Sequence, residues 1–308
     1  MLTINIDETD EKISRKLVDS IDAILFDIDG VLLMNHQIIP GSIEFVDKLR
    51  KLGKKLAFVT NNAINSPQKI LKFLEPFNAQ LEEIYNPTSS FIDLLKKNGF
   101  NKDIFAIASD GAIEVMRNAG LNVIDYESIQ QERLTDVLSV RELSLKGLDR
   151  GKNVGIVYVD TNFNTCYGSL QVGQVLLNRI EKVQFFAACP DDTGSIGDNL
   201  FLTGPKYNID ALERWSNRKA SVIGKPEKAL GNIIQSKLKI SDSQRILMIG
   251  DSIASDMAFA VNSGFKSCLV LSGIFTKGQW DDWKEPENLK PNYIATSLGA
   301  IYEKIQDV

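Results

Sequence analysis

Histidine, cysteine and proline are scarce in this chain, and no long apolar run occurs in it. Of 308 residues, one is histidine, three are cysteine and nine are proline. The single histidine, His36, lies in the polar turn "LMNHQIIPG". That excludes a cluster of imidazole metal ligands, and Ser-His-Asp or Cys-His catalysis would rest on this one ring. Cys166, Cys189 and Cys268 are far apart and odd in number, which argues against a disulfide framework and leaves no CxxC pair for zinc. No apolar stretch approaches the roughly 18 residues that span a bilayer. The amino-terminal segment "MLTINIDETDEKISRK" is too polar and acidic for a signal peptide. Basic residues are also not in excess: 35 Lys and Arg face 40 Asp and Glu, for a net charge of −5. Without a basic stripe there is little to bind a polyanion such as nucleic acid, although a small phosphorylated ligand needs only one or two local cations. The expectation is a soluble protein of a reducing compartment such as the cytoplasm, with no membrane or nucleic-acid partner.

What is present is ordinary for a globular chain: 44% hydrophobic and 24% charged residues, with length for about two domains. Short apolar runs recur: "AILF" (23–26), "LAFV" (56–59), "IFAIA" (104–108), "VGIVYV" (154–159), "QFFAA" (184–188), "SVI" (221–223), "ILMI" (246–249) and "CLVL" (268–271). Continuous apolarity suits strands covered on both faces, as in a parallel sheet. Between the runs lie helical patterns such as "PGSIEFVDKLRKLG", "PEKALGNIIQSKLKI" and "SDMAFAVNSG". This alternation predicts an α/β fold with a Rossmann-like parallel sheet. Residues 103–218 are richer in polar loops and read as an inserted, smaller α/β domain, leaving 1–102 and 219–308 as the core. Within the insertion, 189–208 reads as a long loop, of the kind that is functional or disordered rather than a mere connector.

Ligands of an open parallel sheet bind beyond the carboxyl ends of its strands. "AILF" is followed by Asp27, Ile28, Asp29 and Gly30; "LAFV" by Thr60, Asn61 and Asn62. "SVI" is followed by Gly224, Lys225 and Pro226, and "ILMI" by Gly250, Asp251 and Ser252, with Asp256 five positions past Asp251. Four strands would then bring carboxylates, a hydroxyl and a lysine to one sheet edge. Crowded carboxylates repel unless a cation joins them, and hard oxygen ligands without His or Cys favour Mg²⁺. A lysine and a threonine hydroxyl suit phosphate oxygens, so the set predicts phosphoryl transfer. In that chemistry an aspartate can serve as nucleophile, and a second carboxyl can protonate the leaving oxygen and later deprotonate water.

The stretches "DIDGVL", "FVTNN", "GKP" and "GDSIASDM", in this order, resemble the four motifs of the haloacid dehalogenase superfamily. "VLSG" after the last motif and "VYVDTNFNT" in the insertion extend the likeness toward its class IIA branch, over nearly the whole chain. The resemblance implies a catalytic core with an α/β cap, and a Mg²⁺-dependent phosphatase acting on small phosphorylated metabolites through an aspartyl-phosphate. It makes Asp27 the nucleophile and a metal ligand, and Asp29 the general acid/base with a backbone carbonyl on the metal. Thr60 and Asn61 would bind the phosphoryl group, and Lys225 would neutralise it together with Asp27. Asp251 would be a direct metal ligand, and Asp256 would act through a coordinated water or by orienting Lys225. Gly30 supports the first motif. Relatives often dimerise through their caps, so the resemblance also admits a homodimer.

Two departures fall in the cap. Cys189-Pro190-Asp191 stands where relatives commonly carry Asn-Pro-Asp, and Thr203-Gly204-Pro205-Lys206 where they carry proline-glycine-x-glycine. The substrate is accordingly left open among sugar phosphates, phosphoglycolate, pyridoxal phosphate and nucleoside monophosphates. A phosphotransferase or phosphomutase on the same core is the alternative enzyme. A phospho-receiver module also uses Asp, Thr and Lys, but the motif order and an insertion of about 110 residues disfavour it. His36 and Cys189 are assigned no chemistry, and Trp280 and Trp283 are expected to cover a sheet edge.

Overall fold

The computed structural model describes residues 3–197 and 200–306. By internal contacts the chain forms two compact units. The first comprises residues 1–60, 67–85 and 225–308, and the second residues 61–66 and 86–224. The second unit takes in 61–66, 86–102 and 219–224, which the sequence reading places in the core. In the helix Pro87–Lys97, Phe91 stacks on Tyr158 with ring centroids 4.6 Å apart, and Ile223 packs in the same cluster. Among the described residues, no helix is long and apolar enough to cross a membrane.

The first unit is built on a seven-stranded parallel sheet. In spatial order its strands are Ile4–Asn5, Tyr293–Ala295, Lys266–Val270, Ile246–Gly250, Ala23–Phe26, Lys55–Val59 and Ile84–Tyr85. The apolar runs become strands because both faces are covered. Ile24, Phe26, Leu56, Phe58, Leu247 and Ile249 pack with Phe45, Val46 and Leu49 of the helix Ser42–Lys51. The alternate residues Ala23, Leu25, Ala57, Val59, Ile246 and Met248 pack with Leu230 and Ile234 of the helix Lys228–Leu238 and with Phe259. Chain order departs in opposite directions from the pair Ala23–Phe26 and Ile246–Gly250, which makes the crevice at their carboxyl ends a topological switch point.

Trp280 and Trp283 pack with Phe275, Leu269 and Ile294; the last two lie on inner strands of the sheet, so the tryptophans cover its face rather than the edge expected of them. His36 sits at a left-handed backbone position with its ring 4.9 Å from that of Phe73.

The second unit has its own parallel sheet, in the order Ser221–Val222, Gln184–Ala187, Val154–Val159, Asp103–Ile107 and Val123–Ile124. One face carries Phe91, Ile113 and Met116, and the other Val172, Leu176 and Leu212. Two expectations are corrected here. The run "SVI" belongs to this sheet, where Ser221 pairs with Phe186 and Val222 with Ala187. Three strands of the first sheet, not four, therefore deliver site residues. The stretch 189–208 is also not one loop. Thr193–Gly197 and Leu200–Thr203 pair as an antiparallel hairpin, and the helix Lys206–Ser216 begins before it ends. Asp198 and Asn199, in the same stretch, lie outside the described residues.

Candidate active site

The strand Ala23–Phe26 is fully buried, and its ladder continues for one residue, with the Asp27 N–H donating to the Ile249 carbonyl at 2.9 Å. This fixes the Asp27 backbone at the strand end. Its side chain is fixed next: Oδ1 accepts from the Ile28 N–H at 2.8 Å and pairs with Lys225 Nζ at 2.8 Å. Among the described residues Oδ2 has no partner. One carboxylate oxygen is thus anchored and the other is available.

Lys225 is 1% exposed. Its ammonium donates to the Val59 carbonyl at 3.0 Å and to Asp256 Oδ1 at 2.7 Å, besides pairing with Asp27. Burial alone would lower this ammonium's pKa, but Asp256 and Asp27 together outweigh burial and the net shift is upward. The lysine is therefore a fixed positive charge. It follows the strand Ser221–Val222 in the chain, and its peptide bond to Pro226 is cis.

Asp256 is fully buried, and both its oxygens are engaged. Oδ1 accepts from Lys225, while Oδ2 accepts from the N–H groups of Asp251 at 3.1 Å and Ser252 at 3.0 Å. Its contacts hold the Lys225 ammonium in place. It lies in a π-helical turn, Ile253–Met257, a geometry frequent at functional sites.

Asp251 follows the strand Ile246–Gly250, and its Oδ2 accepts from the Ile274 N–H at 2.7 Å. It is wedged between two glycines. A Cβ on Gly30 or on Gly273 would overlap Asp251 Oδ2. Gly30 also adopts φ +80°, a left-handed conformation that L side chains rarely take. Ser272 closes the arrangement by donating to the Gly30 carbonyl at 2.7 Å. Ser272 and Gly273 were not assigned from sequence. Their signal was "VLSG", noticed there as a matching string without a physical role.

Carboxylate oxygens of Asp27, Asp251 and Asp256 lie within 4.8 Å of one another. Burial first, then the charge of Asp256, pushes the Asp251 carboxyl up to about 7. Asp27 is also raised well above the usual range, by burial and then, against the opposing Lys225, by Asp256 and Asp251. Three carboxylates against one lysine leave an excess of two negative charges in a buried space, and the donors are all oxygen. The residues therefore fit a hard divalent cation. Asp27 and Asp251 are the carboxylates at hand for it, since Asp256 is committed to Lys225 and two backbone N–H groups.

Asp29 is outside this acidic group. Its side chain is exposed and has no hydrogen-bond partner among the described residues. Water reaches it, yet desolvation by the surrounding protein raises its carboxyl above the ordinary value, with His36 and then Lys225 opposing. A free carboxyl biased toward its protonated form has the properties of a general acid.

Thr60, 3% exposed, follows the strand Lys55–Val59 and donates its N–H to the Tyr85 carbonyl at 3.0 Å. The next residue, Asn61, belongs by its contacts to the second unit. Its Nδ2 donates to both carboxylate oxygens of Asp191, at 3.1 and 3.2 Å.

The second unit holds one further buried acid, the Asp of "VYVDTNFNT", to which the sequence reading gives no role. Asp160, 1% exposed, follows the strand Val154–Val159. Its Oδ1 accepts from the Thr161 N–H at 2.7 Å, while among the described residues Oδ2 has no hydrogen-bond partner. The hydroxyls of Tyr158 and Thr88 are buried and likewise unpartnered. Burial raises the Asp160 carboxyl to about 7, against the Thr161 N–H and with Asp191 adding to the rise. Between roughly pH 4 and 7 the folded chain therefore holds a proton that the unfolded chain has released, so stability falls as pH rises through that window. Asp160→Asn removes this dependence. It is expected to melt a few °C above wild type at pH 8 and no higher than wild type at pH 5. A pH-independent difference in thermal melting would contradict this.

The comparisons with known proteins agree with the geometry. A sequence profile described as haloacid dehalogenase-like hydrolase matches residues 24–122, and a second HAD-hydrolase-like profile matches residues 222–301. Phosphoglycolate phosphatase 2 of Arabidopsis thaliana is 26% identical over 301 residues, covering 95% of this chain and 96% of its own. The structure of p-nitrophenyl phosphatase from Archaeoglobus fulgidus superimposes with a TM-score of 0.76 at 26% identity, covering 92% of this chain and 99% of that one. NagD from E. coli shares the fold, with a TM-score of 0.71 at 21% identity over 91% of this chain and 97% of its own. The two profiles bracket Asp27, Thr60, Lys225 and Asp251, and the relatives extend the match across the second unit. The chain belongs to the haloacid dehalogenase superfamily, in its class IIA phosphatase branch.

Proposed function

We propose that the chain hydrolyses small phosphomonoesters, of the sugar-phosphate or phosphoglycolate kind, through an aspartyl-phosphate on Asp27. The observation that carries this reading is the Asp27 carboxylate itself. Oδ1 is pinned by Lys225 and the Ile28 N–H, and Oδ2 is left for a phosphorus atom. Oδ2 attacks phosphorus, and the bond to the leaving oxygen breaks. Asp29 gives its proton to that oxygen, then takes one from the water that attacks the acyl phosphate, and Asp27 is regenerated. Lys225 holds positive charge beside the developing phosphorane, with Asp256 fixing its position. The Thr60 and Asn61 segment supports the phosphoryl oxygens. Asp27, Asp251 and the Asp29 backbone carbonyl would hold Mg²⁺, which when bound supplies charge neutralisation to the phosphoryl group. The second unit is proposed as the substrate-selecting cap, a reading supported by relatives that match over both units.

Phosphate release from 4-nitrophenyl phosphate and from a panel of metabolite phosphates tests this, with Mg²⁺ and with chelator. Many turnovers per chain are expected with Mg²⁺ and almost none with chelator. The cation should also raise the melting temperature, because it joins carboxylates that otherwise repel. Release that stops near one equivalent, or that chelator leaves unchanged, would refute the proposal. Isomerisation without free phosphate would move the chain to the mutases.

A further inference from the structure

The Asn61 carboxamide is held from several sides by the second unit. Both Asp191 oxygens accept from Nδ2. On the other side Gly224 approaches so closely that a Cβ there would crowd Asn61 Oδ1 and the Ala188 carbonyl. The Gly224 N–H donates to that same carbonyl at 2.7 Å. The Cys189 thiol, 2% exposed, donates to the Asn61 carbonyl at 3.8 Å. Three separate segments, at 61, 188–191 and 224, are knitted together here. Two of them run directly into site residues: Asn61 is bonded to Thr60, and Gly224 to Lys225.

We propose that Asp191 is a positioning residue, whose carboxylate clasps the Asn61 carboxamide and so aims the Thr60–Asn61 backbone. The carboxamide serves as the clasp rather than as a phosphoryl ligand. A carboxylate is acceptor-only and an amide NH₂ offers two donors, so the pair is charge-assisted and has one sensible amide orientation. Nδ2 is directed at Asp191 and is assigned no contact with the phosphoryl group. The inference rests on the phosphatase reading only for its consequence in turnover; the clasp itself is a property of the fold.

The test is a reciprocal exchange in the full-length chain. Asn61→Asp places two carboxylates against each other, Asp191→Asn leaves two amides, and the double variant restores one of each. Since a displacement near 1 Å can cost about 10²-fold, Asn61→Asp is expected to lose about that much kcat on 4-nitrophenyl phosphate, and Asp191→Asn about tenfold. The double variant is expected to return to within about fivefold of wild type with KM little changed. A double variant that regains its melting temperature but stays as slow as Asn61→Asp would overturn the proposal, because Asn61 would then contact the phosphoryl group directly. Undiminished kcat in Asp191→Asn would overturn it as well. A wild-type chain inert toward every phosphomonoester would defeat the phosphatase reading instead. The clasp would then be decided by melting alone, and a double variant no more stable than Asn61→Asp would end it.

Discussion

Asp27→Asn is expected to abolish phosphate release, by about 10³-fold or more in kcat, while leaving the fold intact. Asparagine can keep Oδ1 where Lys225 and the Ile28 N–H now meet it, so the contacts at 2.8 Å survive. What changes is the other branch, where an amide NH₂ replaces the unpartnered Oδ2 and cannot attack phosphorus. Stability should move the opposite way from activity. The Asp27 carboxyl is pushed upward by burial and by two neighbouring carboxylates, so removing its charge relieves repulsion when no divalent cation is present. The variant should therefore melt at or above the wild-type temperature in chelator, with a weakened response to Mg²⁺. Phosphate release and thermal melting read the two effects separately. A folded Asp27→Asn chain that keeps a tenth of wild-type turnover would remove Asp27 from the nucleophile's role.

Lys225→Met should lose both activity and stability. The lysine is fully buried and faces Asp27, Asp256 and the Val59 carbonyl. Methionine fills similar space but leaves two buried carboxylates without their cation. Breaking a buried pair from one side typically costs about 3–5 kcal/mol. The loss should appear as a lower urea midpoint in chelator and should shrink at acidic pH, where Asp27 can take up a proton. An unchanged midpoint would show that Lys225 is not the counter-charge of this site. The contrast with Asp27→Asn is informative because the two substitutions act on one ion pair with opposite expected effects on stability.

Much of this fold was legible in the chain. "AILF", "LAFV", "ILMI" and "CLVL" all became strands of the first sheet, because unbroken apolar runs of four or five residues need cover on both faces. The site's carboxylates were legible for a related reason: polar groups directly after buried strands stand at the sheet's carboxyl edge, whereas Lys225 follows a strand of the other sheet. "SVI" was read into the wrong sheet because a two-residue strand carries no mark of its partner. Ser221 and Val222 pair with Phe186 and Ala187 through backbone hydrogen bonds, which are indifferent to side-chain identity. The hairpin within 189–208 was missed because its glycines and prolines read as loop, and its two strands are only five and four residues long.

The sequence by itself determined the chemistry on offer: two aspartates at the end of one strand, Thr60, Lys225, Asp251 and Asp256 in a recognisable order, and no histidine or cysteine cluster to compete. These are matters of residue type and spacing along the chain. Only the tertiary structure decided how the charges are shared. Asp256 spends both oxygens on Lys225 and two backbone N–H groups, Asp27 keeps one oxygen free, Asp29 stands apart, and Asn61 turns its amide toward Asp191. Hydrogen bonds and ion pairs act over about 3 Å, and residues as distant in the chain as Asp27 and Lys225, 2.8 Å apart, come within that range only when the chain has folded.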